Sequence, residues 1–480
     1  MIAALIHELG MSAGVTLPEV RVTDDGSRLP SVYQVEVAAA VSVGAATAAA
    51  AAMLGTDAAV DVREALAAFR DERYFRIDGE PGELWAELSG DYRTADGWVR
   101  LHCNFDHHRV AALRALGLSR GADREAVRRA CESRTALEIE RRVTQENGCA
   151  AALRTQGEWR ADPRARAVAR TPLVEVTRLP ASPGGSGDGQ PFAEGVSHPG
   201  ERAGGGDGLG LGGARVEAGA SRRGEGSRGS SPGGWEVKGA LEGVRVLDLT
   251  RVIAGPVATR TMAAYGADVL KVGAPDVPEV PGLVISTAFG KRSCHLDLRS
   301  DGGRRALAEL VEGADVVVRA VRPGALRVVD ELVDRTPGLV SVEITAYGPA
   351  GGRGFDSLVQ MATGIAWGDP PRPLPAQVLD HATGYLAAFG AIAALLRRRV
   401  EGGSWRVRLS LARTAQWLDE LGKGEPVDRF DIAGSLGEMD SGFGRLTYVL
   451  PPGRIGGRRP EWTSPPPPQG ADFPTWRPRD

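Results

Sequence analysis

From residue 244 onward, short apolar runs alternate with helix-patterned segments. That alternation restricts the architecture more than any other feature of the 480-residue chain. The runs VRVLDL (244–249), ADVLKV (267–272), DVVVRA (315–320) and LVSVEI (339–344) read as four strands. Gly255 and Pro256 open a helix that reaches Tyr265. Ser300 caps a second, with Leu307, Leu310 and Val311 on one face, and a third follows from about Gly324. Strands that are apolar throughout and joined by helices form a parallel sheet covered on both faces. The fold class expected is therefore α/β, a Rossmann-like parallel sheet with helices on both faces plus a smaller α+β domain. The turn after the first strand, TRVIAGP, lacks the GxGxxG that cradles a pyrophosphate, which disfavours a dinucleotide-dependent dehydrogenase.

Composition divides the chain. A Gly-rich stretch over 179–235, with SPGGSGDGQ and SRRGEGSRGSSPGG, has too few apolar residues to join a core and reads as a flexible linker. It separates residues 1–178 from the α/β region 236–420, which a Pro/Gly-rich extension, 421–480, is expected to pack against. The first region combines a strand (GWVRLHCNF, 97–105), helices (REAVRRACES and 136–145) and a strand near 150–153, a small α+β unit. It also holds an echo. LPSVYQVEVAAAVSVGAATAAAAAML (29–54) parallels LPAQVLDHATGYLAAFGAIAALL (374–396), and VDVREALAAF parallels WRVRLSLARTAQWL, as a partial duplication would leave them. Counted from Leu-Pro, the first copy has Val35 at the position of Asp380, with Glu36 one step away.

A formal net charge of −3 without long single-sign runs gives no reason to expect nucleic-acid or membrane binding. Four cysteines without a CxxC pair fit a reducing, cytoplasmic compartment. The pair His107-His108 lacks metal-ligand spacing and reads as an exposed loop; no metal is expected. MIAALIHELG has no basic start and does not read as a signal peptide, and the Ala-rich run 35–54 reads as a buried helix.

Asp380 is the candidate catalytic residue. It falls in the first turn of a helix built from small residues, among them Ala382, Gly384, Ala387 and Gly390, which let another backbone approach. The positive end of the macrodipole favours its ionised, nucleophilic form. A plain helix cap is the competing explanation. Beside it, His381 either orients the carboxylate or lies exposed.

Five segments in one order resemble the family III CoA transferases, the group that includes formyl-CoA:oxalate and carnitine CoA-transferases and α-methylacyl-CoA racemases. They are 241–272, with its AGP turn; 290–311, with GKRS and LDL; 314–326, with RPG; 344–364, with YGPAGGRGFDSLVQMATG; and 379–412, with Asp380. Residues 91–117 and 147–167 resemble that family's smaller domain. The resemblance implies an acyl-CoA transferase in which Asp380 attacks the thioester and carries the acyl group as a mixed anhydride, so that CoA passes to a carboxylic acid. Acyl-CoA is then a substrate and no cofactor is held permanently. Lys291, Arg292 and Arg322 would hold CoA phosphates, Tyr347 and Gly348 would line the cleft, and the protein would form an interlocked homodimer. Phe355, where the racemases have His, disfavours racemisation, because proton exchange at carbon needs a second acid/base. A catalytically silent CoA-binding homologue is the remaining alternative.

Overall fold

In the first 68 residues a single β-α-β turn is laid down. The structure, a computed structural model, describes residues 1–180, 239–320 and 327–479. Helix α1 (Ile2–Ala13) leads to β1 (Val20–Thr23), α2 (Val35–Leu54), β2 (Ala58–Asp61) and α3 (Val62–Ala68). Strands β1 and β2 pair in parallel, with Val20 opposite Ala58. A separate small sheet follows: β3 (Gly90–Arg93), β4 (Trp98–Leu101), α4 (Asp106–Leu116), α5 (Arg124–Glu132), α6 (Ala136–Gln145) and β5 (Ala150–Ala152). Its own core gathers Val99, Leu101, Leu113 and Ile139. This is the expected small α+β unit.

The main sheet contains β6 (Glu175–Arg178), β7 (Arg245–Leu249), β8 (Asp268–Gly273), β9 (Lys291–His295), β10 (Val316–Arg319), β11 (Val340–Thr345) and β12 (Trp405–Ser410). Its spatial order is β9-β8-β7-β10-β11-β12-β6, parallel throughout except for β6. Helices α7 (Ala254–Ala264), α8 (Asp301–Glu312), α9 (Asp356–Thr363), α10 (Val378–Glu401) and α11 (Leu411–Glu420) complete the described α/β part used below. All four strands read from the sequence are present, and Ser300 caps α8 through a hydrogen bond from Gly303 N. The sequence reading missed β6, β9 and β12. KRSCH is too polar and WRVRLS too Arg-rich to read as apolar runs, yet each places alternate residues inside.

The echo is structural. β1–α2–β2–α3 repeats β11–α10–β12–α11, and both long helices start from a Gln with nearly the same backbone, Gln34 at φ −76°, ψ 61° and Gln377 at φ −78°, ψ 62°. Each second strand then runs straight into a helix capped by its own last residue, Asp61 or Ser410. Aligned on the caps, the counterpart of Asp380 is Val37, not Val35. Glu36 pairs instead with Arg28 at 3.2 Å. Both helices are long and apolar enough to cross a membrane, and both are buried within the fold, packed on one another.

The boundary expected at the linker does not separate two bodies. Residues 1–180 and 239–479 lie in one compact unit, α2 packs on α10, and β6 closes the edge of the main sheet on β12. The Gly-rich stretch itself, 181–238, lies outside the described residues. The C-terminal segment adds a hairpin, Leu436–Ser441 with Gly444–Val449, and anchors two indoles, Trp462 Nε1 on Arg260 O and Trp476 Nε1 on Leu310 O.

Small residues set the helix crossing that matters most. A Cβ on Gly384 would lie 2.6 Å from Ala254 O, so α10 touches the first turn of α7 backbone to backbone. Gly384→Ala should therefore push the two helix starts apart. The expected cost is about 1–3 kcal/mol, the usual range for an overpacked core, to be read by chemical denaturation. An unchanged midpoint would mean that the crossing yields freely.

Candidate active site

Counted from β7, the six parallel strands follow the spatial order 3-2-1-4-5-6, and the order reverses between β7 and β10. Ligands of such sheets bind at that reversal, beyond the carboxyl ends of the strands. A cavity of about 610 Å³ lies there. Its walls are the loop after β7 (Arg251 to Gly255), Ala320 after β10, Ala346 after β11, the loop Gly351–Phe355, and Asp380. The small α+β unit supplies the facing wall through Phe105, His107, His108, Asn147 and Cys149. Both sides come from one chain.

The loop after β7 is held under strain. Val252 adopts φ +72°, costly for a β-branched residue. Gly255 is required because a Cβ would meet the Thr250 side chain at 2.4 Å. Beneath the loop, Asp248 accepts hydrogen bonds from Thr250 and from Thr259 Oγ1 (2.6 Å) and pairs with Lys291 Nζ at 2.9 Å. Lys291 also donates to Pro256 O and Thr259 Oγ1. Burial pulls the Lys291 amine down to about 8, with Asp248 opposing. Burial likewise works to raise Asp248, but Lys291 and Lys271 hold its carboxyl low. The two shifts pull the pair in opposite senses. With three acceptors around Nζ, the charged pair is the state at neutral pH.

Asp380 sits in the first turn of α10 and is 7% exposed, onto the cavity. Among the described residues its carboxylate oxygens accept no hydrogen bond. Gln377 makes no side-chain cap for α10; Asp356 from α9 does so in its place, accepting from Asp380 N at 2.9 Å. Gln360 Nε2 donates to the other oxygen of Asp356, and Gln360 Oε1 accepts from Leu374 N at 2.8 Å. This brace ties down the turn that carries Asp380. Burial pushes Asp356 up to about 6. Burial, and then the Asp356 carboxyl, push Asp380 well above the ordinary range, with His381 working the other way. Desolvation and a like charge thus work against the helix dipole, which favours the ionised, nucleophilic form.

His381 does neither of the things expected of it. It is fully buried and turns away from the cavity, with Nε2 3.0 Å from Glu72 Oε2 and 3.7 Å from Asp71 Oδ1. Burial opposes its charge, but Glu72 and Asp71 raise it. Asp71, Glu72 and His381 bring one ligand atom each within 4.8 Å of one another. Arg260 lies 2.5 Å from Asp71, however, and its guanidinium already supplies the cation that a metal would bring. The group is a buried ion network joining the N-terminal segment to α10.

Several expected contacts fall elsewhere. Lys291 points into the protein, and Arg292 is held by Asp268 (3.0 Å) and Thr475 O (2.8 Å), so neither faces the cavity. Burial under a strand pairing, which the sequence reading lacked, is the reason. Tyr347 is buried between Trp159 and Arg164, and Gly348 opens a short turn near Ser410; the cavity is lined by their neighbours Ala346 and Gly351 to Gly354 instead. Arg322 lies outside the described residues. Among the described residues, the cations that reach the cavity are Arg251, stacked 5.0 Å over Phe105, and Arg353, which donates to Asn147. His107 and His108, read as an exposed loop pair, begin α4, and His108 is buried at the wall. A histidine pair directly after an apolar-polar strand end was the available signal.

Residues 241–421 match the model of CoA-transferase family III. A probable fatty acyl-CoA transferase of Mycobacterium tuberculosis is 36% identical over 204 residues, 37% of this chain and 52% of the relative. A formyl-CoA:oxalate CoA-transferase of Streptomyces avermitilis is 34% identical over 196 residues, 36% of this chain and 48% of the relative. The chain thus spans about half the length of these curated relatives. Among solved structures, a Mycobacterium tuberculosis protein is similar at 32% identity and a TM-score of 0.36, covering 38% of this chain and 58% of that one.

Proposed function

We propose that the cavity takes an acyl-CoA and moves its CoA to a carboxylic acid through Asp380, a reading supported by the match of residues 241–421 to the model of CoA-transferase family III. The observation that carries the reading is Asp380 itself, a carboxylate without hydrogen-bond partners among the described residues, braced from behind and open to a cavity at the sheet's reversal point. The carboxylate attacks the thioester carbonyl and CoA leaves as thiolate, giving an acyl-aspartyl anhydride. Thiolate returns to the aspartyl carbonyl and frees the donor acid. The acceptor acid then repeats these steps in reverse order. Each intermediate is about as reactive as a thioester, so the steps are nearly balanced and the protein's task is positioning and exclusion of water. The first-turn amides of α7 at the cavity wall are donors for a developing oxyanion.

Phosphate contacts belong in this proposal to Arg251 and Arg353, with Arg322 retained from the resemblance. Arg251→Glu should weaken CoA binding by roughly 1–3 kcal/mol, the size of a lost charge-assisted contact. Calorimetry with free CoA reads it, and unchanged affinity would remove Arg251 from the site. A cytoplasmic location is part of the same reading, supported by four cysteines that form no disulfide. A homodimer is proposed on the resemblance alone, since one chain supplies both walls of the cavity.

The reaction type is tested in buffered D₂O. Exchange should depend on added carboxylic acid and leave the α-proton of a 2-methylacyl-CoA in place. Phe355 stacks on His102 at 3.7 Å and offers no base. Deuterium uptake that disappears in Asp380→Asn would replace transfer with racemisation.

A further inference from the structure

The cavity wall carries a second nucleophile that the transfer chemistry does not use. Cys149 Sγ lies 3.5 Å from His108 Nε2, and both residues line the cavity that Asp380 lines. The placement is built in. Asn147 takes φ +65°, and a Cβ on Gly148 would sit 2.7 Å from Val143 and 3.1 Å from Ala111. That turn presses Cys149 against α4, the helix of His108, and His102 N donates to Cys149 O at 3.0 Å. The residues are 4% and 6% exposed, so reagents reach them through the cavity. None of the other three cysteines lines the cavity: Cys103 and Cys131 lie in the core of the small α+β unit and Cys294 in a core of the main sheet, where burial pushes Cys103 and Cys131 up to about 12 and Cys294 up to about 11.

Resting on the acyl-CoA reading above, we propose that Cys149, with His108 as its base, is a second acyl-accepting site in the same cavity. The proton on Sγ passes to His108 Nε2 as the sulfur attacks the thioester carbonyl. The carbon–sulfur bond to CoA breaks, and the departing thiolate takes the proton back from the imidazolium. The products are S-acyl-Cys149 and free CoA, one thioester exchanged for another at almost no free-energy cost. The enzyme thereby holds an acyl group when no acceptor acid is present.

The test uses the full chain with Asp380→Asn, in which the aspartyl anhydride cannot form. Incubation with acetyl-CoA and with octanoyl-CoA, followed by intact and peptide mass spectrometry, should place one acyl group on Cys149, released by neutral hydroxylamine. Adding Cys149→Ser should abolish it, and adding His108→Gln should slow it at least tenfold. Iodoacetamide is the control for folding and access: it should alkylate Cys149 ahead of the other thiols, and free CoA should protect it. No adduct from either acyl-CoA, or an adduct that survives Cys149→Ser, overturns the proposal. Failure of the Asp380 reading is distinguishable, because it appears as acid-dependent CoA exchange retained in Asp380→Asn, whatever happens at Cys149.

Discussion

Asp380→Asn is expected to remove CoA exchange by at least about 10³-fold, because an amide cannot form the anhydride. The same substitution should make the protein more stable at pH 8. The folded state raises the Asp380 pKa, so the carboxyl favours folding only while protonated. That contribution is complete below its unfolded value near 3.8 and is lost as pH rises toward the folded value. Asn carries no such titration. Denaturation midpoints of the two proteins should therefore converge near pH 4 and separate, with Asn the more stable, above it. A variant less stable than wild type at pH 8 would mean that the ionised carboxylate has a partner that compensates its burial.

The second large effect falls at Lys291, where the sequence suggests a phosphate contact. The Lys291 and Asp248 side chains are 1% and 0% exposed. Lys291→Met leaves Asp248 buried without its cation, and breaking one partner of such a pair costs about 3–5 kcal/mol. Urea denaturation should show a loss of that size. Calorimetry on the folded fraction should show CoA affinity changed far less. Weak CoA binding with full stability would reverse the assignment and return Lys291 to the ligand.

The parallel sheet and the carboxylate were both legible because each is a local pattern: continuous Val/Leu runs for the strands, and an acid entering an Ala/Gly helix for Asp380. What the sequence hid depends on pairing at a distance. KRSCH becomes a strand only because β8 lies beside it, and that pairing carries Lys291 inward to Asp248, 43 positions away. Asp356 caps a helix that begins more than 20 residues later, so no capping pattern along the chain could mark it. His381 looked like an orienting neighbour, but one turn of α10 directs it to Glu72, 309 positions earlier. The wall from the small unit was hidden for the same reason: Phe105, His108 and Cys149 reach Asp380 only through the docking of two cores.

The most direct test of the central claim is hydroxylamine trapping on wild-type protein incubated with a panel of acyl-CoAs, followed by peptide mapping. If Asp380 carries the acyl or CoA group, its peptide should appear as the hydroxamate in the presence of acyl-CoA and not with free CoA. An Asp380 peptide that stays unmodified across the panel, while CoA still exchanges between acids, would contradict the account.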